Sequence, residues 1–168
     1  KNQEVKNILL SESPWVLEAQ TEEQQKERIA TLFDLNNIRN NNIAALTRLQ
    51  ELQNSNGAWS WYKGMNGSGY VTAYIAELNA RLALLTGEKL DGPGLALQEK
   101  ALTYLHQSAL EEYKNILKAQ KEGVKFTGVS GSILQYLYIV AISGGQVPAA
   151  NKAAYAYYLS KVKELLPA

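Results

Sequence analysis

Apolar residues return along this chain with the period of an α-helix, most regularly at Val71, Tyr74, Ile75, Leu78, Leu82 and Leu85. A second stripe of the same period runs through Tyr155, Tyr158, Leu159, Val162, Leu165 and Leu166. Start and stop signals agree with the stripes. Ser13-Pro14 sets a cap before a proline at a first helical position, Thr21 and Gln24 have capping-box spacing, and Gly87 ends the helix that begins near Tyr70. The pattern predicts about seven helices, at roughly 1–10, 21–34, 37–53, 69–86, 95–120, 131–143 and 148–166, with a further short one at 14–19. Residues 132–142 are apolar all round and β-branched near their end, which periodicity alone would also allow as a buried strand. No partner strand is visible in the sequence, so a buried helix is expected.

Amphipathic helices alternating with an all-round apolar one, joined by glycine-containing loops, point to stacked helical hairpins with one layer enclosed by another. Two of the loops are alike. Gln53, Gly57 and Trp59 follow one helix and lead into the next, and Gln120, Gly123 and Phe126 stand in the same context, so the two read as a degenerate repeat of one hairpin unit. The expected fold class is all-α: antiparallel helical hairpins forming an incomplete α/α toroid, with residues 1–168 as a single helical domain.

Composition narrows the chemistry. The chain has 168 residues, enough for a core without staples, and its 17 basic and 16 acidic residues leave a formal charge of +1. That balance gives no footprint for nucleic acid or an anionic membrane, and no apolar run approaches the roughly 20 residues of a membrane span. With no cysteine, the chain can form no disulfide, zinc–thiolate site, cysteine nucleophile or cysteine thioester of its own. It opens on Lys1 in an amphipathic segment without a leader, as expected of a piece cut from a longer polypeptide.

The most specific text runs from Leu49 to Gly64 and contains Gln53, Gly57, Trp59, Trp61 and Tyr62, followed by Tyr70, Val71, Thr72, Tyr74 and Ile75. Glutamine can close the end of a helix, glycine permits a tight turn, and an aromatic ring can plug the gap between hairpins. Gln53, Gly57 and Trp59 are therefore expected to be architectural, with Trp59 buried. Trp61, Tyr62, Tyr70 and Tyr74 are the candidate contact surface, with Trp61 and Tyr70 on its exposed side.

This Gln-x-x-x-Gly-x-Trp text resembles the recurrent loop of α/α toroids: terpenoid cyclases, prenyltransferases and the thioester domains of the complement and alpha-2-macroglobulin superfamily. Its flanks, Ser13 to Leu17, Leu32 to Asn36, Trp59 to Trp61 and Tyr70 to Ile75, look like consecutive landmarks of the helical domain in large bacterial alpha-2-macroglobulins of Bacteroidetes type. The resemblance covers residues 1–87 well and the remainder by helical pattern. It implies a parent at the periplasm or cell surface, anchored outside this chain. In that parent, protease cleavage of a bait region triggers a conformational change, and a thioester holds the attacker.

The thioester residues of such relatives lie upstream of the landmarks matched here, and no Gly-Cys-x-Glu-Gln segment exists in this chain. The resemblance thus implies scaffold rather than reactive bond, with no catalytic, cofactor-binding or metal-ligating residue in the chain. Its partners would be other domains of the parent and, through the parent, target proteases. Complement relatives that acylate hydroxyls carry a histidine early in the next helix. Residues 60–75 contain none, which implies direct reaction of any parental thioester with amines, shielded by Tyr70 and Tyr74.

Two other readings compete. A toroid enzyme acting on carbohydrate or isoprenoid could stack a ligand on Trp59, Trp61 and Tyr62 and use Glu77 as acid or base. Against it, aspartate occurs only at 34 and 91, and Glu111 and Glu112 are neighbours pointing in different directions on a helix. A tetratricopeptide-like solenoid would also give hairpins, but the two loops lie 67 residues apart and no 34-residue repeat is visible. His106, the lone histidine, is expected at the surface or half-buried in a structural role. The asparagines at 36, 37, 40, 41 and 42 read as a solvated helix start, and Glu99, Lys100, Lys114, Lys118 and Lys121 as a solvated face.

Overall fold

The computed structural model describes residues 22–87, 90, 92–126 and 128–165, and the chain divides into two compact units, Lys1–Thr47 and Arg48–Ala168. Expectations for helices at 1–10 and 14–19, the Ser13-Pro14 cap, the Thr21 capping box and Leu166 fall outside the described residues. Among the described residues every regular element is helical, and the extended pairing is one isolated antiparallel bridge between Gln53 and Trp59.

Helix α1 (Glu22–Leu52) occupies the described part of the first unit and ends within the second. It corrects the expected break near residues 35–36. The asparagine run lies inside one 31-residue helix rather than at a helix start. Each asparagine costs a helix only about half a kilocalorie per mole relative to alanine. With no glycine or proline between residues 22 and 52 to end it, that cost is spread along the helix. Asn37, Asn40, Asn41 and Asn42 are solvent-exposed, so their amides lose nothing to burial. Thr31 and Thr47 donate their hydroxyls to the carbonyls one turn back, of Glu27 and Ile43, both at 2.9 Å.

The second unit is built from α2 (Gly69–Thr86), α3 (Gly92–Lys121), α4 (Gly131–Ile142), a 3-10 turn (Ala149–Asn151) and α5 (Lys152–Leu165). Ser68 caps α2 by accepting the Val71 N–H, Ser130 caps α4 by accepting the Ile133 N–H, and Gly87 ends α2 in the left-handed region at φ 70°. Helix α3 starts three residues before its expected position because Pro93 fits a first helical turn, where its missing N–H needs no partner. The segment at 131–142 is a helix, as expected, but it is buried on one side only, with Leu134 and Tyr138 exposed on the other. Ile133, Tyr136, Leu137, Ile139 and Val140 are buried, and α2, α3 and α5 all pack against it. Pro148 resolves the last expected helix into the 3-10 turn followed by α5.

Helix α2 is apolar on both sides, and the side it buries is the one with small residues. Thr72, Ala73, Ala76 and Ala80 face α3 and α4, while Tyr74, Leu78, Leu82 and Leu85 of the regular stripe are exposed. An alanine face lets the larger side chains of the neighbours, Leu97, Leu105, Tyr136 and Leu137 among them, approach the α2 backbone. The backbone itself is reached. Buried Gln98 of α3 donates Nε2 to the Ala76 carbonyl at 2.9 Å, and its Oε1 accepts from Asn79 Nδ2 at 3.2 Å. This buried amide on α3 is satisfied at both ends, which ties α3 to α2 in one register.

Candidate functional site

The segment between α1 and α2 is held by its own backbone. Asn54 N–H donates to the Ala58 carbonyl at 2.8 Å, Gly57 N–H to Asn54 at 2.9 Å, Ser60 N–H to Leu52 at 3.2 Å, and Ser68 N–H to Trp59 at 2.8 Å. Gln53 then adds a tertiary link. Its Nε2 donates both to the Gly57 carbonyl at 3.0 Å and to the Leu97 carbonyl of α3 at 2.9 Å. Gly57 sits at φ 88°, and a Cβ built there would run into the Lys100 carbonyl. Glycine is thus required twice over, by its dihedral and by the approach of the α3 backbone.

Trp59 is the largest fully buried side chain, with 0% of its surface exposed. Its indole Nε1 donates to the Leu49 carbonyl at 2.8 Å, and its backbone N–H donates to Thr72 Oγ1 at 2.8 Å. Thr72 Oγ1 in turn donates to the Ser68 carbonyl at 2.7 Å. Gln53, Gly57 and Trp59 therefore join the end of α1, the start of α2 and the flank of α3 at one junction.

The aromatics beyond the loop turn outward. Trp61, Tyr62, Tyr70 and Tyr74 are 61%, 72%, 67% and 52% exposed. Trp61 stacks on Tyr70 with ring centroids 6.4 Å apart and planes 20° from parallel, and Tyr70 repeats the arrangement with Tyr74 at 6.4 Å and 11°. The structure thus brings Trp61, Tyr70 and Tyr74 together in one row. With Trp59 inside the core, the row that could meet a ligand is not the Trp59, Trp61 and Tyr62 set of the enzyme reading. Glu77 is engaged elsewhere: it pairs with Arg81 at 2.7 Å and accepts from Gln135 Nε2 of α4 at 2.8 Å, while Arg81 lies 5.3 Å over the Tyr138 ring.

The second loop repeats the first in part. Gly123 has φ 91° and donates to the Gln120 carbonyl at 3.1 Å, but Gln120 sends its amide to the Tyr157 hydroxyl at 3.1 Å instead of back across its own loop. Phe126 stays partly exposed at the edge of an open cavity of about 620 Å³, lined by Ile116, Ala119, Val129 and Tyr158 with Glu112 and Lys125.

His106 differs from expectation: it is buried, because α4 and the 3-10 turn close over it. Its Nδ1 lies 2.8 Å from the Tyr136 hydroxyl, the two rings meet edge to face, and Asn151 Nδ2 donates to its backbone carbonyl. Burial lowers the His106 pKa and, with the charge of Tyr155 as a smaller cause, raises that of Tyr136 to about 12. Tyr158, whose hydroxyl donates to the Ala109 carbonyl at 2.9 Å, is raised further by burial and then by nearby Glu112. Sequence reading missed this polar cluster and Gln98, although the spacing of Leu97, Gln98, Ala101, Leu105 and Ala109 on α3 carried the signal.

The His106 environment has a pH consequence. A base whose folded pKa lies below its ordinary 6.5 binds protons better in the unfolded chain, so stability gained from the neutral ring is complete above that value. It declines as pH falls from 6.5 toward the folded pKa. As the chain holds one histidine, stability between about pH 7 and 5 should fall with acid in the wild type and stay flatter in His106→Gln, as measured by urea denaturation.

No helix of the described residues is long and apolar enough to cross a membrane. No protein-family model, curated protein or solved structure matches this chain.

Proposed function

We propose that this chain is a catalytically silent scaffold segment of a bacterial alpha-2-macroglobulin-like protease trap at the periplasm or cell surface, its hairpins forming part of an α/α toroid. The observation that carries the reading is the Gln53–Trp59 junction. Each landmark of the Gln-x-x-x-Gly-x-Trp text has a load to hold: Gln53 on Leu97, Gly57 against Lys100, and Trp59 on Leu49 and Thr72. That is the behaviour of a structural bolt between helical hairpins, and it agrees with the resemblance noted in the sequence. In this reading Trp61, Tyr62, Tyr70 and Tyr74 are the surface through which the scaffold meets its surroundings in the assembled trap.

The parent protein tests the proposal. Incubated with an endopeptidase, it should retain the protease in a complex that excludes large substrates, covalently if a Cys-x-Glu-Gln segment lies upstream of Lys1 and sterically if none does. Weakening the junction with Gln53→Ala should reduce capture without changing cleavage of the bait. A chain that hydrolysed a polysaccharide, or bound an isoprenoid tightly, would favour the enzyme reading and sink this one.

A further inference from the structure

We infer that the outer face of α2 is a self-association seam, meeting the same face of a second copy of this chain. The inference rests on the reading of the aromatic row as a contact surface and names what that surface contacts. Tyr70, Tyr74, Leu78 and Leu82 follow one another at intervals of four residues, with Leu85 beside them and Trp61 stacked on Tyr70 at the near end. All six are exposed. Helices that bury one face present polar groups on the other; α2 buries its alanine face and presents tyrosine and leucine on the opposite one.

Three properties of the face select a copy of itself over other occupants. The row is an unbroken ridge of the kind that interdigitates with an identical ridge at a crossing of about −50°, so the surface is complementary to itself across a two-fold axis. Its size is appropriate. From their fractional exposures the six side chains offer on the order of 700 Å² of apolar surface, near the ~800 Å² that each partner of a stable pair covers and above the largest patch of an ordinary monomer. Finally, the charges beside the ridge are already neutralised within one copy: Glu77 pairs with Arg81, takes a hydrogen bond from Gln135, and leaves Arg81 over Tyr138. A second copy therefore meets no unpaired like charge on α2. A carbohydrate would stack on the aromatic end but would find no hydrogen-bonding group on Leu78, Leu82 and Leu85, which form the other half of the ridge.

Sedimentation equilibrium of the whole chain tests this. Pairs of this size have dissociation constants from micromolar downward, so the wild type should be dimeric at about 100 μM. The double variant Leu78→Gln with Leu82→Gln should weaken association at least 100-fold while keeping the helical circular dichroism and melting profile of a folded chain. Leu165→Gln, at an exposed leucine on α5, should leave association unchanged. If the double variant lost its fold, Tyr74→Ser, at a half-exposed position, would make the same comparison. A wild type that stays monomeric at 100 μM would overturn the seam, and so would a dimer that survives the folded double variant. Neither result touches the scaffold reading, which stands on the Gln53–Trp59 junction.

Discussion

Trp59→Ala is expected to destabilise the second unit by about 3–5 kcal/mol, the range for deleting a packed tryptophan whose cavity cannot collapse. Collapse is hindered on every side. The indole lies among the end of α1, the first turn of α2 and α3, and the backbone of its own residue is fixed by Thr72 Oγ1 and the Ser68 N–H. The lost Nε1 donor matters less, because the Leu49 carbonyl keeps the Gln53 N–H at 3.1 Å. Against a domain stability of about 5–15 kcal/mol this is a large fraction, and the melting temperature should fall by roughly 10–20 °C. Scanning calorimetry on the variant measures it.

Gly57→Ala is expected to cost about 3 kcal/mol, although it adds only a single methyl group, because Gly57 is buried in its turn. Two costs combine. A non-glycine residue at φ 88° is strained by about 1–2 kcal/mol. The new Cβ also meets the Lys100 carbonyl, a backbone atom of α3 that cannot swing aside as a side chain could, so the loop must retreat from α3. Retreat would stretch the Gln53 Nε2 bond to Leu97. Gly64→Ala is the control: φ there is 84°, but a Cβ meets nothing within 4 Å, so only the dihedral cost remains. Urea denaturation should rank the two variants with Gly57→Ala clearly the weaker, and equal midpoints would show that α3 does not press on the loop.

The helices at 69–86 and 131–143 and the burial of Trp59 were legible because their signals are local: a cap, a period, a glycine, an aromatic ring after a turn. What escaped depends on which of two usable faces a neighbour selects. The stripe from Tyr74 to Leu85 carries the larger side chains, yet the alanines at 73, 76 and 80 allow closer approach and took the interior. His106 was one residue off an apolar stripe, and the return of the chain through Tyr136 of α4 and Asn151 buries it. The asparagine run read as a boundary because asparagine favours helix starts, but preference for a cap does not break a helix that lacks glycine and proline. The pairing of Trp61 with Tyr70 across nine positions could not be read from periodicity, since it depends on the path of the intervening loop.

The inner and outer aromatics divide their labour between holding the fold and meeting a partner, and one side-by-side measurement reaches this most directly: the thermal unfolding of Trp59→Ala and Trp61→Ala. The two tryptophans are two residues apart, one fully buried and one 61% exposed. Trp59→Ala should lose roughly 10–20 °C and Trp61→Ala should change by at most a few degrees. Equal losses, or a larger one for Trp61→Ala, would contradict this division, because the junction would then not be the bolt that joins α1, α2 and α3.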